Sequence, residues 1–109
     1  MTACSPMWED GDYEVYYLDG DIALGIKIDN SGAYHRRVCH KIVAVGSNEK
    51  YIVAKQLEPG STIASYFYIE RESDNKYLNH DEITQGPYTE IQFAELIQGL
   101  GLPSFSKVF

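Results

Sequence analysis

Short hydrophobic runs separated by turn residues cover most of the chain. Residues 13–18 read Tyr-Glu-Val-Tyr-Tyr-Leu and predict a first β-strand, and residues 22–28 alternate apolar with small or polar residues and predict a second. The Asp19-Gly20 pair between these runs is a strong signal for a β-hairpin turn. We therefore expect an antiparallel hairpin with one buried face at the start of the folded domain.

Four later segments have the same strand-like character. Residues 34–45 begin polar and end apolar, and they predict either one long strand or two strands with a bulge. Residues 51–57 predict the partner of this segment, and residues 66–69 and 76–78 predict two more short strands. Five or six short strands, each bounded by turn residues, are typical of an antiparallel meander.

The hydrophobic period changes near the C-terminus, where residues 89–100 carry a single apolar stripe at helical spacing. Thr89 and Gln92 have the spacing of an N-terminal capping box, and Gly101 offers a left-handed C-terminal cap. Because a short helix with one apolar stripe is not stable alone in water, we expect it to lie across the sheet. The stripe consists of Phe93, Leu96, Ile97 and Leu100.

Together these elements predict an α+β fold, with an antiparallel β-meander of five to six strands packed by one C-terminal α-helix. The chain has 109 residues, which is room for one domain. Residues 1–12 show no periodicity and are assigned to a leader or linker, with a possible lipobox remnant. Residues 13–109 are assigned to the single domain.

The charge balance limits the partners that the domain can bind. Nine Lys and Arg residues stand against sixteen Asp and Glu residues, for a formal net charge of −7. Nucleic-acid binding through phosphate contacts needs clustered basic residues, so we expect no nucleic-acid partner. Aromatic residues make up 13% of the chain and include nine Tyr, which favours strands and is typical of binding surfaces.

The sequence contains no strong signature of catalysis, a metal or a cofactor. His35, Cys39 and His40 are close in the chain, but a strand would turn His40 away from the other two, and zinc needs three or four ligands. His80 lies beside acids in a predicted loop, and nucleophile-elbow and phosphate-loop motifs are absent. We therefore predict no enzymatic activity, no metal and no cofactor. A small hydrolase or metal-dependent enzyme that uses the histidines is the alternative.

Two features near the predicted strands are candidate protein-binding surfaces. Acidic residues cluster around the first hairpin and could face a basic partner, or they could form a charged edge that keeps the sheet soluble. Tyrosines occur on both faces of the predicted strands, so one set can be core and the other a binding surface. The candidate binding residues are Tyr13, Tyr16, Tyr17, Asp19, Asp21, Tyr66 and Tyr68.

The first residues, Met-Thr-Ala-Cys-Ser, resemble the end of a bacterial lipoprotein signal, in which a cysteine after small residues receives a lipid. On this interpretation Cys4 is the lipid-attachment site and tethers the domain to the cell envelope. The alternative is an ordinary cytoplasmic start with a chance Ala-Cys pair. Cys4 and Cys39 could also form a disulfide in an oxidising compartment.

Two stretches resemble a family of small uncharacterised bacterial lipoproteins, catalogued as domain of unknown function 3997. They are the two strand segments within residues 41–56, and residues 66–102 with the motif Gly-Pro-Tyr-Thr-Glu before the helix. The resemblance implies a location in the envelope and a β-sheet domain with a closing helix. It implies no known activity and no catalytic residues.

We therefore expect a non-enzymatic binding domain of the cell envelope that recognises another protein through an aromatic sheet face or through the acidic hairpin. Small acidic domains also neutralise basic toxins or enzymes, so an immunity or inhibitor protein is the second hypothesis. A toxin encoded by a neighbouring gene would distinguish the second hypothesis from the first.

Overall fold

Nine β-strands, two α-helices and one 3-10 helix make up the described part of the chain in the computed structural model. The described residues are 7–18, 20–28, 33–39, 41–58 and 60–109. The strands are β1 (Trp8–Asp10), β2 (Tyr13–Leu18), β3 (Asp21–Lys27), β4 (Tyr34–Val38), β5 (Ile42–Ser47), β6 (Tyr51–Leu57), β7 (Ala64–Glu70), β8 (Gln85–Tyr88) and β9 (Lys107–Val108). The helices are α1 (His80–Ile83), α2 (Glu90–Leu100) and the 3-10 helix (Arg71–Ser73).

The strands form two antiparallel sheets. The first sheet has the order β1-β2-β3-β4, and the second has the order β8-β7-β6-β5-β9. The predicted α+β class, with antiparallel strands and a C-terminal helix, is confirmed. β1 pairs with β2 and Trp8 packs against the core, so the sheet begins inside the segment that the sequence assigned to a leader.

The main core lies between the two sheets. In β2 and β3, alternate side chains such as Val15 and Leu24 are fully buried, as the period of two in these strands requires. They meet Val45, Ile52 and Ile69 from the facing side of the second sheet. The two sheets are therefore stacked, and each contributes one face to this core.

A second apolar cluster lies on the opposite face of the second sheet, beneath α2. Phe93 is 1% exposed, and its ring stacks on the Tyr66 ring with the centroids 5.1 Å apart. Tyr51, Val53 and Leu102 are the other buried residues of this cluster. The layers therefore run in the order first sheet, second sheet, α2. The outer face of the first sheet contributes no residue to either apolar cluster of the described residues.

The chain crosses from the first sheet to the second between β4 and β5. Residues 34–45 contain two strands, as one of the two interpretations expected, and the single long strand is wrong. The two strands, β4 and β5, belong to different sheets and are not joined by a bulge within one sheet. Val38 and Ile42 both point into the core between the sheets, so the chain must turn a corner between them. Lys41 accommodates this corner with a left-handed backbone, φ 49°.

The strand predicted at residues 76–78 is also absent, and a buried ion pair explains why. The side chains of Arg37 and Asp74 are both fully buried and form a bidentate pair at 2.7 and 2.8 Å. The remaining Arg37 donors bind the carbonyl oxygens of Arg36, Asn75 and Leu78. Because these carbonyls are used by the guanidinium, the segment after Asp74 is fixed as a turn against β4.

Helix α2 begins and ends where its sequence predicts. The Thr89 side chain accepts a hydrogen bond from the Gln92 amide, the Gln92 side chain accepts one from the Thr89 amide, and Gly101 is left-handed with φ 72°. Only the first half of the predicted stripe is well covered, since Ile97 and Leu100 are 37% and 40% exposed. No described helix, α2 included, has the length and apolar character needed to cross a bilayer.

Candidate protein-binding surface

Two of the tyrosines predicted for binding are buried, so the fold removes them from the surface. Tyr13 is 4% exposed and lies in the core between the sheets, where its hydroxyl donates a 2.7 Å hydrogen bond to Asp74. Burial and this bond raise the pKa of the Tyr13 hydroxyl. Tyr66 is 6% exposed beneath α2. Both residues therefore stabilise the fold and offer no contact area to a partner.

The other predicted residues are spread over different parts of the molecule. Tyr17 and Asp21 lie together at the end of the first hairpin, where they line a small cleft with Lys41. Tyr68 lies on the helix side of the second sheet. Cys4 and Asp19 are outside the described residues. The described candidate residues thus do not form one site, and Tyr16 lies on the outer face of the first sheet.

Tyr16 belongs to an aromatic pair on that outer face. Its ring stacks on the ring of Tyr34 from β4, with the centroids 4.2 Å apart and the planes 10° from parallel. The strand between them, β3, carries Gly25, where a Cβ atom would meet the Tyr16 ring at 3.0 Å. A glycine at this position therefore lets the tyrosine ring lie flat over the middle strand.

A buried carboxylate fixes one end of this pair. Glu14, 5% exposed, accepts a 2.6 Å hydrogen bond from the Tyr34 hydroxyl. It also forms a 3.2 Å ion pair with the Lys27 ammonium group. The bond to Glu14 raises the pKa of the Tyr34 hydroxyl to about 12, and the same carboxylate raises the pKa of Lys27. Tyr34 and Glu14 are thereby held in one arrangement. We call Glu14, Tyr16, Gly25, Lys27, Tyr34 and Arg36 the outer tyrosine face.

The rim of the outer tyrosine face is acidic on the side of β1. Glu9 and Asp12 are exposed, and both contribute to the raised pKa of Lys27, so their charges lie close to it. On the opposite side, exposed Arg36 makes a weak contact of 3.9 Å with the Cys39 sulfur. On this face and its rim, the three carboxylates of Glu9, Asp12 and Glu14 therefore stand against the two cations of Lys27 and Arg36.

The structure gives no support for a metal site among the described residues. They contain no group of three or more His, Cys, Asp or Glu side chains placed to hold a metal ion. His35 instead contacts the Lys76 carbonyl oxygen at 3.1 Å and the Asn79 side-chain oxygen at 3.2 Å. Cys39 is a half-buried free thiol, and His40 lies outside the described residues.

Sequence reasoning did not select Tyr34, Lys27 or Arg36 for this surface. Each lies on the outward side of its strand, but only the pairing register shows that Tyr34 and Arg36 of β4 lie across β3 from Glu14 and Tyr16. Lys27 is in β3 itself, beside Glu14. The available signal was a glycine within an otherwise aliphatic strand, which often marks the close approach of a neighbouring group.

Comparison with known proteins identifies one match. A family model described as "Protein of unknown function (DUF3997)" matches residues 10–106. No curated protein and no solved structure matches the chain. The family match covers most of the described residues, including the whole outer tyrosine face.

Proposed function

The chain belongs to the DUF3997 family, and we propose that it is a non-enzymatic protein-binding domain whose outer tyrosine face binds a basic surface of another protein. The observation that carries this proposal is the Tyr16–Tyr34 stack on a sheet face that lies outside both apolar clusters of the described residues. Aromatic side chains that are grouped on a sheet face and surrounded by polar residues are typical of interaction sites, and here a partner protein is the proposed cover.

Tyrosine suits this role because it combines apolar contact area with a hydroxyl group. Stacking holds the rings of Tyr16 and Tyr34 in place, and the bond to Glu14 fixes the second ring further. A surface that is ordered before binding loses less side-chain entropy on association. The pair is therefore a suitable centre for an interface, with the charged residues as its rim.

The charge of the rim supports a basic partner. Exposed Glu9 and Asp12 add negative charge beside Lys27, and the whole chain carries a net charge of −7. Complementary charge accelerates encounter and disfavours acidic partners. The same feature favours the second candidate function, an immunity or inhibitor protein that neutralises a basic toxin or enzyme.

For the location, we propose the cell envelope, with a lipid anchor at Cys4. The support is the Thr-Ala-Cys sequence at residues 2–4. Metabolic labelling with a palmitate analogue, in cells that express the protein from its own gene, should label the wild type and not a Cys4→Ala variant. Equal labelling of the two proteins, or none in either, would remove the anchor from the proposal.

Site-specific photo-crosslinking tests the binding surface. A photoreactive amino acid placed at Arg36, on the face, should cross-link a protein that the same probe at Tyr77 does not. Tyr77 is 80% exposed and lies outside the outer tyrosine face, so it is a matched control. The charge-reversed double variant Glu9→Lys/Asp12→Lys should lower the cross-link yield from position 36. Equal yields from both probes, or a yield unaffected by charge reversal, would contradict the proposal.

A further inference from the structure

A groove runs along the C-terminal half of α2, on the helix side of the second sheet. Two adjoining depressions of about 380 and 270 Å³ share the side chain of Leu100, which is 40% exposed. The groove exists because α2 is anchored through Phe93, near its N-terminus, while its last turn leaves apolar side chains uncovered. We call it the helix groove, and its main residues are Tyr51, Glu70, Tyr68, Glu82, Tyr88, Glu95, Leu96 and Leu100.

Three tyrosines adjoin the helix groove: Tyr68 and Tyr88 are half-buried, and Tyr51 is 9% exposed behind them. We call them the tyrosine wall. The centroid of the Tyr68 ring lies 5.9 Å from that of Tyr51 in an edge-to-face arrangement, and 6.1 Å from that of Tyr88 in a stacked arrangement. Strands β6, β7 and β8 each carry one of the three rings, and side chains on paired strands are held more rigidly than side chains on a loop. Leu96 and Leu100 line the same depression as Tyr88, and Leu100 also lines the depression that contains Tyr51 and Tyr68.

The rim of the helix groove carries only negative charge. Glu70, Glu82 and Glu95 line it and are exposed, and no Lys or Arg lines either depression. Two of the carboxylates are held in place, since Glu82 accepts a 2.9 Å bond from the Asn79 amide and Glu70 accepts one from Ser73. Within the part of the chain that the structure describes, none of the three carboxylates has an ion-pair partner.

This groove is a separate surface from the outer tyrosine face. The core between the sheets and the whole second sheet lie between them. Its occupant is therefore not determined by what binds the outer face, and its recognition chemistry can be tested alone.

We propose that the helix groove binds a segment of another protein that is rich in Lys or Arg and carries an apolar side chain. The apolar side chain fits between Leu100 and the tyrosine wall, where it removes apolar surface from water. Flanking ammonium or guanidinium groups meet the unpaired carboxylates and the faces of the tyrosine rings. Phosphate groups of nucleic acids and anionic lipids are disfavoured, since they would approach three carboxylates with no cation to receive them.

A scattered exposed side chain would not support such a proposal, because single exposed aliphatic residues are common on protein surfaces. Ile91, for example, is 77% exposed on α2 and lines neither depression. The helix groove differs because its apolar residues adjoin one another and its rim has charge of one sign.

An NMR titration of the isotopically labelled domain with three synthetic peptides tests the proposal. The probes are a peptide of alternating Leu and Lys, the same peptide with Glu in place of Lys, and a peptide of Lys with Ser in place of Leu. The Leu-Lys peptide should shift the amide signals of Tyr68, Glu95 and Leu100. The other two peptides should bind at least about tenfold more weakly, because one lacks the cationic side chains and the other lacks the apolar side chains.

Variants then locate the binding. Glu70→Gln/Glu95→Gln should weaken the Leu-Lys peptide by about five- to tenfold, as expected when two exposed charge pairs are lost. Glu58→Gln, an exposed acid that lines neither depression, should leave the affinity unchanged. Equal binding of the Leu-Glu peptide, equal affinity of the groove variant, or shifts confined to Tyr16 and Arg36 would overturn the proposal. If this proposal fails, the proposed binding at the outer tyrosine face still stands, because cross-linking from position 36 tests it with different residues.

Discussion

The two sheets are built from the same kind of antiparallel strand, but they differ in what covers them. The second sheet has apolar side chains on both faces, which pack against the first sheet on one side and α2 on the other. The first sheet has a core on one face and a stacked tyrosine pair with charged neighbours on the other. The face on which a tyrosine lies, and not the strand that carries it, therefore decides its role in the fold, since Tyr13 and Tyr16 of β2 lie on the core side and the outer side of the same strand.

The buried ion pair should give the largest effect on stability. Arg37→Ala leaves the carboxylate of Asp74 buried without its partner and frees the segment that follows it, so we expect a loss of about 3–5 kcal/mol. Urea unfolding followed by circular dichroism measures this loss. Arg36→Ala, at the exposed neighbouring position, should cost less than about 0.5 kcal/mol. Similar losses in the two variants would refute the structural role given to Arg37.

Weakening α2, which covers one face of the second sheet, should lower the free energy of unfolding less than Arg37→Ala does. Thr89→Ala removes the N-cap of α2 and should lower the free energy of unfolding by about 1 kcal/mol. Thr62→Ala, at an exposed position outside any helix or strand, is the matched control and should change it by less than about 0.5 kcal/mol. Cross-linking from position 36 should be unchanged in both variants, because α2 does not contact the outer tyrosine face. Reduced cross-linking in Thr89→Ala would show that α2 and the outer tyrosine face are coupled, which contradicts their independence.

The pH dependence of stability reports on the outer tyrosine face. The hydroxyl of Tyr34 has its pKa raised in the folded state from the ordinary value of 10.0 to about 12, so folding favours its protonated form. Its contribution is fully present below pH 10 and is lost as the pH rises from 10 to about 12. Urea midpoints measured from pH 9 to pH 11 should therefore fall less steeply in Tyr34→Phe than in the wild type. Parallel curves would show that the bond to Glu14 is not formed in solution.

The smallest effect is expected at the end of the first hairpin. Tyr17 is 61% exposed, so Tyr17→Ala should change the free energy of unfolding by less than about 0.5 kcal/mol. Tyr13→Ala, on the same side of β2 but 4% exposed, should cost about 3 kcal/mol or more. Thermal unfolding of the two variants side by side checks this contrast, and equal melting temperatures would contradict the burial of Tyr13.

Local sequence signals predicted most of the elements. The ends of α2 followed from the Thr89 cap and Gly101, and β2 and β6 occupy the predicted residues 13–18 and 51–57. These features depend on neighbours in the chain, such as cap residues, turn residues and the period of two. The division into two sheets depends on where distant strands pack, so the corner between β4 and β5 was missed.

The candidate site was less predictable, because a period of two shows which residues share a face and not which face is covered. Tyr13 and Tyr17 share one face of β2, yet Tyr13 is buried in the core and Tyr17 is 61% exposed. Arg37 read as an ordinary polar strand residue, and only the fold supplies the carboxylate and carbonyl groups that bury it. The pairing of Tyr16 with Tyr34 likewise required the register across β3.

The most direct test of the account is the affinity of the partner, once cross-linked from position 36 and identified, for two charge-matched variants. Glu9→Lys/Asp12→Lys reverses two exposed charges at the rim of the outer tyrosine face, and Glu58→Lys/Asp81→Lys reverses two exposed charges elsewhere. Calorimetry should show a loss of about tenfold or more for the first variant and less than about twofold for the second. Equal losses in both variants, or no loss in the first, would contradict binding at this face.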